Sequence, residues 1–257
     1  MMTNTDSEDR GVKSVHILFR IIEQLMTLDG AGVTELADEV GIAKSTVHDH
    51  LSTLRELGYV INEGSEYALS LRFLRLGRYV RRRKNLYEVV EEEVREIAET
   101  TEQRTQFIAR EGRFGIPLLY VSGKKGMPYI GFTIGEPLSL HATASGKAIF
   151  AHLPEEMREN LFQTEFKQFT EHTITDTEKL RKELETIRQR GYAFNREESF
   201  SGLSAVAMPI RDEKDEVLGS ISISGPTHKF SDDWLEDELP DLLRGSVNEI
   251  ELKLQHL

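Results

Sequence analysis

The chain has 257 residues, 39% hydrophobic and 30% charged, and its 32 Lys/Arg against 44 Asp/Glu give a formal net charge of −12. That length favours two compact domains over one, the composition is globular rather than disordered, and no stretch reaches the roughly 18 uninterrupted apolar residues of a membrane-spanning helix. The absence of cysteine removes disulfides, thiolate metal sites and a cysteine nucleophile, and the negative charge, taken as a whole, speaks against a nucleic-acid partner.

The start, MMTNTDSEDRGVKS, is polar and has no apolar core of a leader, so a cytoplasmic chain with no membrane partner is expected. The charge is unevenly spread. Residues 1–10 carry a net −2 and read as a disordered acidic tail, residues 11–86 carry +2, and residues 87–257 carry −12. The acidity belongs to the C-terminal two thirds, and a separate job for the slightly basic N-terminal part follows. An acidic body of this kind suits a salt-rich cytoplasm, which makes a halophilic source the expectation.

From Ser14, Ile17, Leu18, Ile21, Ile22, Leu25, Met26 and Leu28 recur at helical spacing, and Asp29-Gly30 ends the run. Thr34 is placed to cap a second helix, Glu35 to Val40, with Leu36, Ala37 and Val40 inward. A tight turn, Gly41-Ile42-Ala43, leads into a third helix, Lys44 to Leu57, that buries Val47, Leu51 and Leu54. Two helices across such a turn form a helix-turn-helix, and the strands expected at Tyr59–Asn62 and Tyr67–Ser70 form the wing, which completes a domain over 11–70.

On the third helix, an advance of about 100° per residue sets Ser45, Asp49 and Ser52 opposite the core face, flanked by Thr46 and His48, with Lys44 at the start. Short donors and acceptors on such a face suit base edges, and hydroxyls and cations near the helix start suit phosphates; Asp49 is compatible with DNA where it accepts a hydrogen bond from cytosine N4. The alternative is a solvated helix of a three-helix bundle. A linker helix is expected over 71–86. Its basic run, Arg78 to Lys84, is either a solvated face or a phosphate clamp.

A new amphipathic helix begins at Leu86, and residues 87–257 form the second domain. Strands are expected at Gln106–Ala109, Leu118–Val121, Tyr129–Phe132, Tyr192–Phe194, Ala205–Met208 and Val217–Ile223. Helices are expected at Thr143–Leu153 and Pro154–Phe162, after a cap at Asp176 and up to Gly191, and from Ser231 to the end. This is a mixed α/β (α+β) pattern. The histidines show no metal-ligand spacing, and neither a nucleophile elbow nor a phosphate or dinucleotide loop occurs, so no metal, cofactor or catalytic residue is expected. The stretch Leu140-His-Ala-Thr-Ala-Ser-Gly-Lys-Ala runs through small residues into a helix, and either makes an anion site of the exposed amides or packs closely.

Together these motifs resemble the isocitrate lyase regulator (IclR-type) family of transcription factors. The resemblance rests on Gly32-Val-Thr-Glu-Leu-Ala and Val47-His-Asp-His-Leu-Ser-Thr-Leu-Arg-Glu-Leu-Gly-Tyr-Val in the first half. In the second it rests on Gly135-Glu-Pro-Leu-Ser-Leu-His-Ala-Thr-Ala-Ser-Gly-Lys-Ala, Thr173-Ile-Thr-Asp, Arg190-Gly-Tyr-Ala and Ser222-Ile-Ser-Gly-Pro. It implies an N-terminal winged helix-turn-helix, a linker helix and a C-terminal GAF-like effector-binding domain. Homodimers or dimers of dimers, double-stranded operator DNA and a small-molecule effector are the implied partners. DNA contacts would fall on Thr34, Lys44, Ser45, Thr46, His48, Asp49 and Ser52. Effector contacts would fall on Ala144, Ser145, Gly146, Asn195, Ala205, Ser222 and Ser224. Asn195, Ala205 and Asp49 depart from residues found in the family at these positions. The expected function is a DNA-binding regulator of a catabolic pathway controlled by a small organic or sugar acid. A small-acid-modifying enzyme or sensor with an N-terminal assembly bundle is the alternative from another class, and a protein-interaction module is a third.

Overall fold

The computed structural model describes residues 11–82, 86–124, 133–231 and 233–256. The expected acidic tail, the expected strand at Tyr129–Phe132, and Arg83 and Lys84 of the basic run lie outside the described residues. The chain divides between residues 83 and 84 into two compact units, with one apolar cluster in the first and two in the second.

The first unit contains helices α1 (Lys13–Thr27), α2 (Val33–Val40) and α3 (Lys44–Glu56), strands β1 (Val60–Glu63) and β2 (Glu66–Leu69), and helix α4 (Arg72–Arg82). Ile21 and Leu25 from α1, Leu36, Ala37 and Val40 from α2, and Val47, Leu51 and Leu54 from α3 form its core with Val60. Gly41 makes the turn between α2 and α3 in the left-handed region (φ 72°), with its amide on the Ala37 carbonyl.

Two expectations fail here. Thr34 does not cap α2: the cap position is Gly32, the helix starts at Val33, and Thr34 lies exposed in its first turn. The cause is one residue upstream, where Ala31 pairs with Tyr67 of β2 through two backbone hydrogen bonds of 2.9 and 3.1 Å and fixes where the helix begins. Met26 does not face inward either. It is exposed, as are Val12, Val15 and Phe19. α4 buries none of its residues; its start is tethered by Phe73 against Tyr59 (ring centroids 5.0 Å) and by the Arg72 guanidinium over the same ring.

The second unit contains α5 (Leu86–Thr101), β3 (Arg104–Glu111), β4 (Phe114–Ser122), α6 (Ala144–Ala151), α7 (Glu155–Phe162), α8 (Thr177–Arg190), β5 (Ala193–Arg196), β6 (Leu203–Arg211), β7 (Val217–Pro226) and α9 (Leu239–Leu254). The strands form one antiparallel sheet in the order β4-β3-β7-β6-β5. Strand alternation sends Phe107, Val206, Ile221 and Ile223 to the face covered by α5 and α9, and Ile108, Ala193, Ala205 and Ala207 to the face covered by α6 and α8.

β7 continues past the expected stop at Ile223 to Pro226, which keeps Ser224 in register with β3 and β6. The single helix expected from Ser231 is instead a π-turn, Trp234–Glu238, followed by α9. Pro240 explains the break, because it has no amide to offer the carbonyl four residues before it, and the Leu239 amide reaches Trp234 instead.

Asp176 caps α8 through the Lys179 amide at 2.8 Å, and Gly191 (φ 87°) closes it. Asp176→Ala is expected to cost about 1 kcal/mol, which lowers the melting temperature by about 2–4 °C for a unit of this size. Asp176→Ser should restore most of it in a circular-dichroism melt.

Candidate functional site

The sheet face beneath α6 is small and polar. Arg104 of β3, Ser224 of β7, Ala205 of β6 and Asn195 of β5 lie side by side in one row across four strands; Gln106, Ser222 and Ala207 form the next. The amino end of α6 stands over this face. Thr143 caps it by accepting from the Gly146 amide at 2.9 Å, the Ser145 hydroxyl donates to Ser222 at 2.8 Å, and Ser220 donates to the Ser145 carbonyl at 3.1 Å. Gly146 is required for this approach, since a Cβ there would stand 2.6 Å from the Leu140 backbone. One turn on, Ile149 joins Ile108 in the core, so α6 runs away from the Arg104–Asn195 row and turns its amino end toward it.

Beside that end opens a cavity of about 280 Å³, lined by Leu138, Ala142, Thr143, Ser199, Phe200 and Leu203 among others. One wall is the loop joining β5 to β6. Asn195 holds it by accepting from the Glu198 amide (2.8 Å) and donating to the Ser199 hydroxyl (2.6 Å). Lys147 of α6, 1% exposed, reaches the same loop with Nζ 2.6 and 2.7 Å from the two Glu198 oxygens. Burial pushes the Glu198 carboxyl above its ordinary range while Lys147 pulls it down. Thr170 and Thr173 complete the anchoring by donating to the Glu197 and Glu198 carbonyls, each at 2.6 Å.

The seven residues expected to contact an effector are therefore brought to one place. Ala144, Ser145 and Gly146 open α6, Ser222, Ser224, Ala205 and Asn195 lie on the face it covers, and all seven are buried. None of the seven is among the described residues that line the cavity. Two neighbours on the same face, Arg104 and Gln106, are also buried and were not singled out from the sequence. Their signal is period-two alternation with Phe107, legible once the strand is known to start at Arg104 rather than Gln106.

In the first unit, α3 presents Lys44, Ser45, His48 and Asp49 exposed and Thr46 and Ser52 half-buried. Its cap residue, Ala43, supplies no side-chain hydrogen bond, so the first amides of the helix are left to an outside acceptor. Asp49 lies 3.8 Å from the His48 imidazole. Thr34 is on α2, in the first turn. In the basic run, Arg78, Arg81 and Arg82 are exposed on α4.

Burial holds two imidazoles below their ordinary value. His141 packs on Phe166 and Phe169, with Nε2 donating to the Lys167 carbonyl at 2.9 Å, and His152 donates from Nδ1 to the Ala148 carbonyl at 2.9 Å. The unfolded chain thus binds more protons near and below the ordinary imidazole value of about 6.5, so this contribution is full above that value and lost as pH falls through it. Urea midpoints compared at pH 7.5 and 5.5 should drop less in a His141→Gln/His152→Gln variant than in the parent chain.

The comparisons with known proteins bear on both units. Residues 14–63 match the IclR helix-turn-helix domain, and residues 78–252 match the family described as bacterial transcriptional regulator IclR C-terminal. The chain is 30% identical over 254 residues to “Probable HTH-type transcriptional regulator ArcR” of Halobacterium salinarum, covering 97% of each chain. It is 34% identical over 237 residues to the HTH-type transcriptional regulator KdgR of Dickeya chrysanthemi, covering 90% of this chain and 77% of that one. Among solved structures it is similar to the Thermotoga maritima IclR crystal structure, with a TM-score of 0.78 and 30% identity over 94% of this chain and 97% of the other.

Proposed function

The chain belongs to the IclR family of transcriptional regulators, and we propose that within it the protein is a cytoplasmic, non-enzymatic switch for a catabolic pathway, in which a small organic or sugar acid bound by the second unit changes the operator affinity of the first. One observation carries this reading: the amino end of α6 meets Ser222 above a row of small and polar side chains, beside a cavity of about 280 Å³. Backbone amides at a helix start favour an anion, and Ser145, Gly146, Ala144, Ser222, Ser224, Ala205 and Asn195 leave room and supply donors for a carboxylate. The acid acts by population shift, binding better to one arrangement of the regulator than to the other. The enzyme alternative is disfavoured by the site's hydrogen bonding. Ser145 donates to another serine, and the nearby His141 is spent on a backbone carbonyl, so these two are not paired as nucleophile and base.

On DNA, α3 would enter the major groove with Ser45, Thr46, His48, Asp49 and Ser52 toward base edges and phosphates. Lys44 and the uncapped amides would meet phosphate, as would Thr34 on α2. A second copy of the chain is the partner for α1 and α4, whose Val12, Val15, Phe19 and Met26, and Leu74, Leu76, Tyr79 and Val80, are exposed. The result is a dimer or a dimer of dimers. The acidic second unit and the Halobacterium relative both fit a halophilic source.

Operator fragments taken from genome-wide mapping of bound sites provide the test. Ser45→Ala/Thr46→Ala should weaken operator binding several fold in a mobility shift and leave acid binding unchanged; unaltered DNA affinity would remove α3 as the reader. A bulky change at Ser222, with Ser224→Leu as a second variant, should abolish the response to acid while operator binding persists. Undiminished acid affinity in calorimetry would remove those serines from the site. Leu74→Glu/Tyr79→Glu should lower the oligomeric state in sedimentation; an unchanged assembly would contradict the role given to α4.

A further inference from the structure

Resting on the DNA reading given above to α3, we propose that α4 is a second DNA contact: Arg75 and Arg78 on its arginine face hold the phosphate backbone and supply the sequence-independent part of the affinity. The charges divide sharply along the chain. Residues 33–69, which hold α2, α3 and the wing, carry Lys44 and Arg55 against seven Asp/Glu, a net −5, and Arg55 is turned to Asn62. Residues 71–86 carry six Arg and one Lys with no Asp or Glu. A duplex is bound through cations that displace its counterions. The helix that reads therefore lacks what phosphate requires, and the helix that follows it has a surplus.

The way α4 is held suits this task. Its start is tied to the reading head: Arg72 donates to the Leu57 carbonyl at the carboxyl end of α3 and stacks over Tyr59, and Phe73 packs on the same ring. At about 100° per residue, Arg75, Arg78 and Arg82 fall within an arc of about 60°, while Phe73, Leu76 and Val80 lie on the other side. A second copy seated on that apolar side leaves the arginine face uncovered. Arg75 and Arg78 are exposed, and among the described residues neither makes a hydrogen bond or an ion pair. A guanidinium matches two phosphate oxygens at once. An acidic protein surface is the rival occupant. DNA is favoured because α4 is joined directly to the helix that meets DNA and supplies the charge which that helix lacks.

Salt titrations decide between them, with the full-length protein on its mapped operator and on an unrelated duplex of equal length. Each phosphate neutralised adds about 0.9 to the slope of log affinity against log salt. Arg75→Gln/Arg78→Gln should therefore flatten the slope by about 1.8 per bound protomer on both duplexes and leave the preference for operator unchanged. Between about 50 and 200 mM KCl the parent should lose about tenfold more affinity per protomer than the variant. Arg75→Lys/Arg78→Lys, which keeps the charge, should keep most of the slope. Thermal melts and sedimentation accompany each variant, and Arg78→Gln alone, with about half the effect, carries the test if the double variant does not fold. An unchanged slope in the Gln variants, an equal loss in the Lys variant, or a flatter slope accompanied by a lower oligomeric state would overturn the proposal, the last by assigning the arginines to a protein contact. Ser45→Ala/Thr46→Ala separates it from the α3 reading, since that variant should lose operator preference with the slope on unrelated DNA intact. An undiminished preference there removes α3 as the reader, whereas Arg75 and Arg78 still stand or fall by the slope on the unrelated duplex.

Discussion

Taking an ammonium and a carboxylate out of water costs several kcal/mol per ion, and the cost is recovered only when the two meet with good geometry and their remaining bonds are filled. Lys147 and Glu198 meet this condition with two short contacts, and the arrangement of the second unit depends on it. The lysine leaves α6 and the glutamate leaves the loop between β5 and β6, so one interaction fixes the helix that presents its amides and the loop that walls the cavity. Asn195 tightens the same loop from the sheet, and Thr170 and Thr173 tighten it from outside. Removing one partner would leave the other charge buried alone, a loss of about 3–5 kcal/mol, which is a large part of the stability of an ordinary domain.

Around that fixed point, small side chains do what large ones cannot. Gly146 lets α6 lie close to the Leu140 backbone, and Ser145, Ser220 and Ser222 knit helix to sheet by hydroxyls. One row further on, Ser224, Ala205 and Asn195 continue the run of short side chains across three strands. Close packing along α6 does not compete with the proposed anion site, which calls only on the amides at the helix start. The net charge of −12 resolves in a similar way. It averages a slightly basic DNA-reading segment with a strongly acidic sensor, and phosphate needs positive charge only where it is met.

The helix-turn-helix was legible because its signals are local: apolar residues at helical spacing, Gly41 at the turn, and a short two-stranded wing. Asp176 and Gly191 announced α8 for the same reason. What the sequence concealed depends on partners distant in the chain. Thr34 lost its cap because Tyr67, more than thirty residues later, pairs with Ala31. Lys147 reads as a surface lysine until Glu198 is brought to it across α7 and α8, and Arg104 reads as a strand-edge charge until β7 and β3 are neighbours. That neighbourhood is a crossover, and no spacing in the sequence specifies it. The resemblance to a family supplied Ser222 and Ser224, which composition and periodicity alone leave as ordinary strand serines.

The central claim is that acid in the α6 pocket and DNA on α3 act on one equilibrium. Linkage requires such coupling to be reciprocal. The direct measurement is calorimetric titration of sodium gluconate into the full-length protein, free and saturated with its strongest mapped operator, alongside the operator affinity measured with and without gluconate. The account predicts that the two gluconate affinities differ, and by the same factor as the two operator affinities. Identical gluconate affinities for the free and the DNA-bound protein would contradict it.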